Sequence, residues 1–440
     1  MCKPSASVTG EPELAPTDKW IEKLDLAAFT ADIQALGDKF SSCQGADDVR
    51  HLNKMISWSN SFLVVGLATM WYTPNPMTAL CLSFYTLSRW TMIAHHTCHG
   101  GYDKVHPAKG RFNRFKFGVG SLFCRMRDWL DWMVPEAWNV EHNNRHHYCL
   151  SELDDPDLVE NNLKEVREMD IPMAMKYLVV VINAMMWKWF YYAPNTYKEL
   201  KIAHYRRQGI PLPKGVDPQD AVTIKSIILG QNPFYSVQEL VSKVLGPYLV
   251  IHFFLLPLPY LFLGHHRGVE SLYFMNAIKN LFMAEILTNA HSFLIVVTNH
   301  AGDDMYRFKN SCRPYSGSFY LRQIIASVDF SMGNDYVDFF HGWLNYQIEH
   351  HLWPNLSMLS YQKSAPSVEA ICNKHGVPYI KENVFLRLKK TTDIMVGKTS
   401  MRVFPEAYER KFLDLDMKME EERKREKEAK RAANAAKKIR

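Results

Sequence analysis

The chain has 440 residues, 47% of them hydrophobic and 13% aromatic, and carries a net charge of +6 at pH 7. That mild positive balance, with no basic stretch interleaved with aromatics, excludes a nucleic-acid partner. The apolar residues are gathered in a few long runs instead of being spread over soluble domains, so the mean hydropathy of -0.23 averages a small membrane part with strongly polar ends.

Residues 1–18, with Pro4, Pro12 and Pro16, read as a disordered leader. From Asp18 to about Phe40 the apolar positions Trp20, Ile21, Leu24, Phe29, Ile33 and Leu36 predict an amphipathic helix on a cap or a lipid surface. Residues 1–56 contain no uninterrupted apolar signal-peptide core, so the first apolar span has to act as the insertion signal. The eight cysteines, Cys2, Cys43, Cys81, Cys98, Cys124, Cys149, Cys312 and Cys372, are scattered without a CxxC pair and read as free thiols in a reducing compartment.

Two apolar runs, about 58–72 and 77–94, are split by Pro74-Asn75-Pro76 and predict a helical hairpin through the bilayer. Residues 103–137 mix Lys and Arg with Phe112, Phe115, Trp129 and Trp132, which suits helices at the interface, with Trp129, Trp132 and Trp138 as anchors. Residues 173–192 are apolar but interrupted by Lys176, Asn183 and Lys188, and read as a further interfacial helix. The segment 194–235 reads as a polar connection. The runs 247–263 and 272–298 form a second hairpin around Gly264-His265-His266-Arg267-Gly268. Four spans in two hairpins return the chain to one side each time. From about Glu406 a highly charged helix runs to Lys437-Lys438-Ile439-Arg440, an ending that resembles a dilysine signal for retrieval to the endoplasmic reticulum. The domain plan is a polar leader with an amphipathic helix over 1–56, a membrane domain over 57–385 and a charged tail over 386–440.

Three histidine clusters stand between and after these runs: His95-His96-Thr97-Cys98-His99, then Glu141-His142-Asn143-Asn144-Arg145-His146-His147, then Gln347-Ile348-Glu349-His350-His351. On helices, His95 and His99, and likewise His142 and His146, share a face one turn apart, and Gln347, His350 and His351 fall at i, i+3 and i+4. Neutral imidazole binds iron, zinc, copper and nickel. Structural zinc is satisfied by about four ligands, whereas seven histidines suit two metals. Soluble carboxylate di-iron bundles use Glu-x-x-His pairs, and the chain has none. Asp154, Asp155 and Asp157, just after the central cluster, are placed to orient imidazoles. His252 reads as a hydrogen-bonded residue within a span and His291 as a packing residue.

His-x3-His, His-x3-His-His and Gln-x2-His-His, in that order around two hydrophobic hairpins, resemble the membrane fatty acid desaturase superfamily over about residues 60–380. The context Asn345-Tyr346-Gln347-Ile348-Glu349-His350-His351-Leu352-Trp353-Pro354 is similar to the front-end desaturases. The resemblance implies an all-α integral membrane protein with four transmembrane helices under a cytosolic helical cap. It also implies a di-iron centre, dioxygen as co-substrate, cytochrome b5 with its reductase as a separate electron donor, and a fatty acyl lipid as substrate in the endoplasmic reticulum membrane. By position, the metal ligands it implies are His95, His99, His142, His146, His147, His300, His350 and His351, with Gln347 beside or on a metal. Unlike front-end members, the chain shows no His-Pro-Gly-Gly haem signature of a fused cytochrome b5, has His96 where they carry aspartate, and has one more residue inside its second box. A hydroxylase or epoxidase of a membrane lipid or sterol would use the same ligands. A non-redox zinc-histidine membrane protein is the reading of another class.

Overall fold

The turn at Pro74-Asn75-Pro76 shows how the membrane part is built. Helix α2 (Ala46–Thr69) ends before it and Pro76 opens α3, which runs over 76–98. Asn75 caps α3 by accepting from Thr78 N at 2.9 Å. The turn leaves backbone groups outside any helical ladder that need partners. Asn276 and Asn280 bond them instead, the latter donating to Met70 O at 2.8 Å and Thr73 O at 3.0 Å and accepting from Asn75 N at 2.9 Å. Both asparagines belong to the long helix of the second hairpin, so the two hairpins are fastened at their turn ends. The structure is a computed structural model that describes residues 14–105, 110–214 and 216–439. The leader residues 1–13, Arg440 and the side chains of Lys437, Lys438 and Ile439 lie outside the described residues.

Before α2, helix α1 (Leu26–Cys43) packs on the polar cap. Gly37 permits this contact, because a Cβ there would fall 2.3 Å from Trp353 Nε1. Helix α4 comprises Pro135–Trp138 and the wider turns Asn139–Asn143. Helices α5 (Met173–Ala184) and α6 (Ala193–Gln208) follow. The second hairpin is α7 (Val237–His265) and α8 (Glu270–Asn299). The cap is completed by α9 (Gly317–Ile325), α10 (Gln347–Leu352), α11 (Met358–His375), α12 (Val384–Met395) and α13 (Glu406–Ile439). One parallel pair of two-residue strands, Tyr306–Arg307 with Arg402–Val403, is the only named sheet among the described residues.

Of the four expected spans, two helices are long and apolar enough to cross a bilayer, α7 and α8. The first hairpin falls short for a physical reason. The opening turns of α2 belong to the cap, where Asp48 and His51 are buried. Helix α3 lies inside the bundle, and its buried Ser83, Ser88 and Thr91 bond to Thr288, Ser59 and Leu87 O respectively. Its surroundings are protein, so its sequence is less uniformly apolar than a lipid-facing helix requires.

Residues 103–137 differ from the interfacial helices expected. Among the described residues they are mostly irregular, with only Leu122–Cys124, Arg125–Trp129 and the start of α4 wound as helix. Buried Asp128 accepts from Arg111, Arg127 and Gly118 N, and buried Arg125 donates to Trp132 O and Val244 O at 2.8 and 2.7 Å. Side chains thus satisfy the backbone that a helical ladder would have used. Trp129, Trp132 and Trp138 are buried and are not interface anchors.

Helix α5 turns Met175, Leu178, Val181 and Ile182 outward and buries Lys176 and Val180. At twelve residues it is about 18 Å long, too short for a hydrocarbon core of about 30 Å. The polar connection expected over 194–235 contains α6, whose Lys198 and Glu199 are buried. The charged tail is helical and docks with its first turns. Asp416 accepts from Gly317 N at 2.8 Å at the start of α9, and Glu409 accepts from Arg322 at 3.1 Å. Helix α12 runs across residue 385, and its fully buried Arg387 joins the cap next to the end of α8 by donating to Ala301 O at 3.0 Å.

Candidate metal centre

Helix α3 carries the first cluster straight out of the bundle. His95 lies on its last turn and His99 just after it, the helix having passed through the wide turns Ser88–Ala94. Helix α10 carries Gln347, His350 and His351, all buried. The central cluster departs from the single helical face that its spacing suggested. Its helix stops at Asn143, and His146 and His147 come from a separate tight turn, His146–Tyr148. Arg145 between them is bonded to Glu199 and donates to Asp154 O at 2.8 Å, which draws the chain out of the helix.

The three segments meet. His95, His99, His142 and His350 each offer a nitrogen to one group, with these atoms within 4.8 Å of one another. His146, His300 and His351 form a second group and His147, His350 and His351 a third, within the same 4.8 Å limit. His95 Nε2 is 2.9 Å from His350 Nε2, and the rings of His147 and His351 stack at 4.1 Å. The Gln347 amide nitrogen lies 2.9 Å from His300 Nε2. Every expected ligand is therefore in one cage. His96 turns away, with Nδ1 2.6 Å from Met92 O, and His291 lies in the bundle, 2.8 Å from Phe340 O.

Three imidazoles are fixed from behind. The Nδ1–H of His146 donates to Asp155 Oδ1 at 2.9 Å, that of His351 to Gln323 Oε1 at 3.0 Å and that of His300 to Ala326 O at 3.0 Å. Nε2 of His146 and His351 is thereby left with its lone pair free, and that of His300 faces the Gln347 amide nitrogen at 2.9 Å. Of the three candidate aspartates, Asp155 makes this contact. Asp157 is 3.7 Å from the same nitrogen, and exposed Asp154 accepts from Gln219. Reading the sequence missed Gln323, which is remote in the chain and carries no motif. It also missed the ring of Trp138, which stacks on His142 at 4.5 Å and stands four residues before it.

Burial, and after it the neighbouring imidazoles, hold His142, His147, His350 and His351 well below the usual histidine range and His300 at about 3. Burial opposes the charge on His146 as well, but Asp155 and Asp157 more than offset it and its pKa is raised. Neutral imidazole is the metal-binding form. Both nitrogens of His142 and His147, Nε2 of His351 and Oε1 of Gln347 are buried without a hydrogen-bond partner. Leaving one such group unpaired costs about 1–3 kcal/mol, and cations in the cage would supply a partner to one nitrogen of each ring. The donor set fits a nitrogen-rich site for two metals.

A cavity of about 920 Å³ reaches the cage, where His95, His142, His146, His300 and Gln347 line it. Its walls include Val180, Trp187, Phe293, Val297 and Leu344.

A cage of buried imidazoles at the end of an apolar-walled cavity, standing on membrane hairpins, defines a histidine-rich membrane metalloprotein. The chain belongs to the fatty acid desaturase family, whose sequence profile, described as Fatty acid desaturase, matches residues 70–383. It is 37% identical over 97 residues to an acyl-lipid (9-3)-desaturase of Physcomitrium patens, covering 22% of this chain and 17% of that one. It is 32% identical over 172 residues to a Delta(8)-fatty-acid desaturase of Euglena gracilis, covering 37% of this chain and 35% of that one. With fatty acid desaturase 3 of Bos taurus it shares 43% identity over 74 residues, covering 17% of this chain and 16% of that one. The aligned stretches thus span from 16% to 35% of these relatives' own length. No solved structure matches the chain significantly.

Proposed function

We propose that the chain is a membrane di-iron desaturase that introduces a double bond into a long fatty acyl chain. The observation that carries this reading is the convergence of the eight histidines and Gln347 on one buried space at the head of an apolar-walled cavity. Two irons would be held by His95, His99, His142 and His350 on one side and by His146, His300 and His351 on the other, with His147 between them and Gln347 beside His300. When bound, the irons supply the redox chemistry, in which two hydrogens leave adjacent methylenes and dioxygen becomes two waters with two electrons and two protons from a donor.

The rest is done by the chain itself. Asp155, Gln323 and the Ala326 carbonyl hold Nδ1 protons and so aim Nε2 of three ligands at the metals. Val180, Phe293, Val297 and Leu344 give the cavity an apolar wall along which an acyl chain would lie. Electrons come from cytochrome b5 or a similar donor with its reductase. Helices α2 and α3 complete the crossing begun by α7 and α8, which gives four spans with the cage on the cytosolic face.

Expression in a host without polyunsaturated lipids, followed by mass spectrometry of acyl chains, tests the reading. A new double bond supports it. A hydroxyl or epoxide in its place assigns the alternative oxidation, and an unchanged profile from iron-loaded protein refutes it.

A further inference from the structure

The hydrogen bonds behind the cage do not serve its ligands evenly. His146, His300 and His351 form the group whose Nδ1 atoms all have acceptors, and those acceptors trace to one short helix. Helix α9 carries Gln323, which accepts from His351, and is followed by Ala326, whose carbonyl accepts from His300. It also carries Arg322, whose guanidinium donates to Glu152 Oε1 at 2.7 Å. Glu152 opens the turn that presents Asp155 to His146, because Asp155 N donates to Glu152 O at 3.1 Å and Asp155 Oδ2 accepts from Ser151 N at 2.7 Å. That turn is pinned a second time where Phe308 N donates to Ser151 O at 2.9 Å. All three acceptors are thus tied to α9.

Helix α9 is in turn held by the terminal helix α13. Arg322 also donates to Glu409 Oε1 at 3.1 Å, and the same carboxylate accepts from Asn310 N at 3.0 Å and Asn310 Nδ2 at 3.1 Å. Further along α13, Asp416 accepts from Gly317 N at 2.8 Å and Ser318 N at 3.1 Å, in the first turn of α9. Glu152, Arg322 and Glu409 are each no more than 3% exposed. Buried charges are costly unless paired, so this carboxylate, guanidinium and carboxylate in a row lock α13, α9 and the Asp155 turn together. The other group of ligands has no such tie. Apart from the approach of His95 to His350, the polar partner behind His95, His99, His142 and His350 among the described residues is Tyr361 OH of α11, 3.4 Å from His350 Nδ1.

We propose that α13 is a positioning element for one metal of the two. Acting through Arg322 and the start of α9, it sets the acceptors behind His146, His300 and His351 and leaves the group of His95, His99, His142 and His350 alone. The proposal rests on reading the cage as a two-metal site. A hydrogen bond of 3.0 Å is lost once its atoms part by about 0.6 Å, so a small shift of α9 frees three imidazoles together. Glu409→Gln produces that shift at its source. Glutamine keeps the shape but removes the charge, and a charge-assisted hydrogen bond is about twice as strong as a neutral one.

The test follows iron leaving the detergent-purified full chain into excess chelator. The parent is expected to release its two irons slowly. In Glu409→Gln one of the two should leave about 10–100-fold faster, the range for losing a group that orients a metal-bound histidine, while the other keeps the parent rate. Asp416→Asn, which leaves the bonds of Arg322 in place and acts at the start of α9, should also speed one iron. Combining the two changes should still leave the other iron at the parent rate. Glu406→Gln is the control on the same helix, because Glu406 pairs with Lys309 and Arg410 and not with α9, and both irons should leave it as they leave the parent. Two irons released faster to the same degree, no iron released faster, or loss of the folded chain in both variants overturns the proposal, since the tail then steadies the whole cap or none of the cage. A parent chain that holds one metal or none overturns the two-metal reading and this proposal with it.

Discussion

Replacing Asp155 by asparagine tests the wiring of the cage at one atom. Asp155 accepts from His146 Nδ1 at 2.9 Å, from Ser151 N at 2.7 Å and from Asp157 N at 2.9 Å, and it is buried. Asparagine preserves the shape but presents one acceptor oxygen in place of two and removes the charge. If its carbonyl keeps His146, its amide nitrogen faces Ser151 N, donor against donor. If the amide flips, His146 loses its acceptor. A hydrogen bond to a charged group is about twice as strong as a neutral one, and loss of such a partner typically lowers metal affinity about 10–100-fold, or about 1.4–2.7 kcal/mol. The assay is chelator competition against iron on detergent-purified protein. Asp154→Asn is the control, because Asp154 neighbours Asp155 in sequence but is exposed and bonds Gln219. An Asp155→Asn protein that binds iron as tightly as the parent, or an Asp154→Asn protein equally weakened, refutes the reasoning.

His146→Ala is expected to abolish turnover while membrane insertion and expression stay at the parent level, checked by lipid profiling and membrane fractionation; a fully active variant removes His146 from the ligands. The Lys188–Asp131 pair is fully buried on both sides. Lys188→Ala strands the carboxylate and should cost about 3–5 kcal/mol of stability, whereas the double change Lys188→Met, Asp131→Leu should recover most of it, as read by thermal unfolding in detergent. Asp304 accepts two bonds from Arg387 at 2.7 and 2.8 Å and one from Lys390 at 2.8 Å. Burial opposes its charge, but Arg387 and Lys390 more than offset it and its pKa lies below the ordinary aspartate value. Its contribution is therefore full above about pH 4, the unfolded-state value, and is lost as pH falls through the lower folded-state value. Asp304→Asn should be less stable than the parent at neutral pH and flatter in acid, and parallel stability curves would contradict this.

How much could be read from the chain depended on whether the determinant was local. The Pro74-Asn75-Pro76 break, the box spacings and the charged run after Glu406 are each decided within a few residues, and the hairpin turn, the convergence of the boxes and the terminal helix follow them. The segment 103–137 was misjudged because its shape is set at a distance, by Arg125 reaching Val244 O. The central box was misjudged for the same reason, since Arg145 is pulled by Glu199 some fifty residues on. Two of the four expected spans, α7 and α8, are long and apolar enough on their own, and the first hairpin was less legible. Apolar runs were judged as if they faced lipid, whereas α3 is enclosed by other helices and tolerates serine and threonine that bond inside. Gln323 had no signature, because it acquires meaning only when remote segments meet.

The most direct measurement is metal analysis with X-ray absorption at the iron edge on the purified full-length chain. The account expects roughly two irons per chain in a nitrogen-rich shell, both lost when His146 and His350 are replaced together. A single tightly held zinc, or iron bound mainly by oxygen, would contradict it.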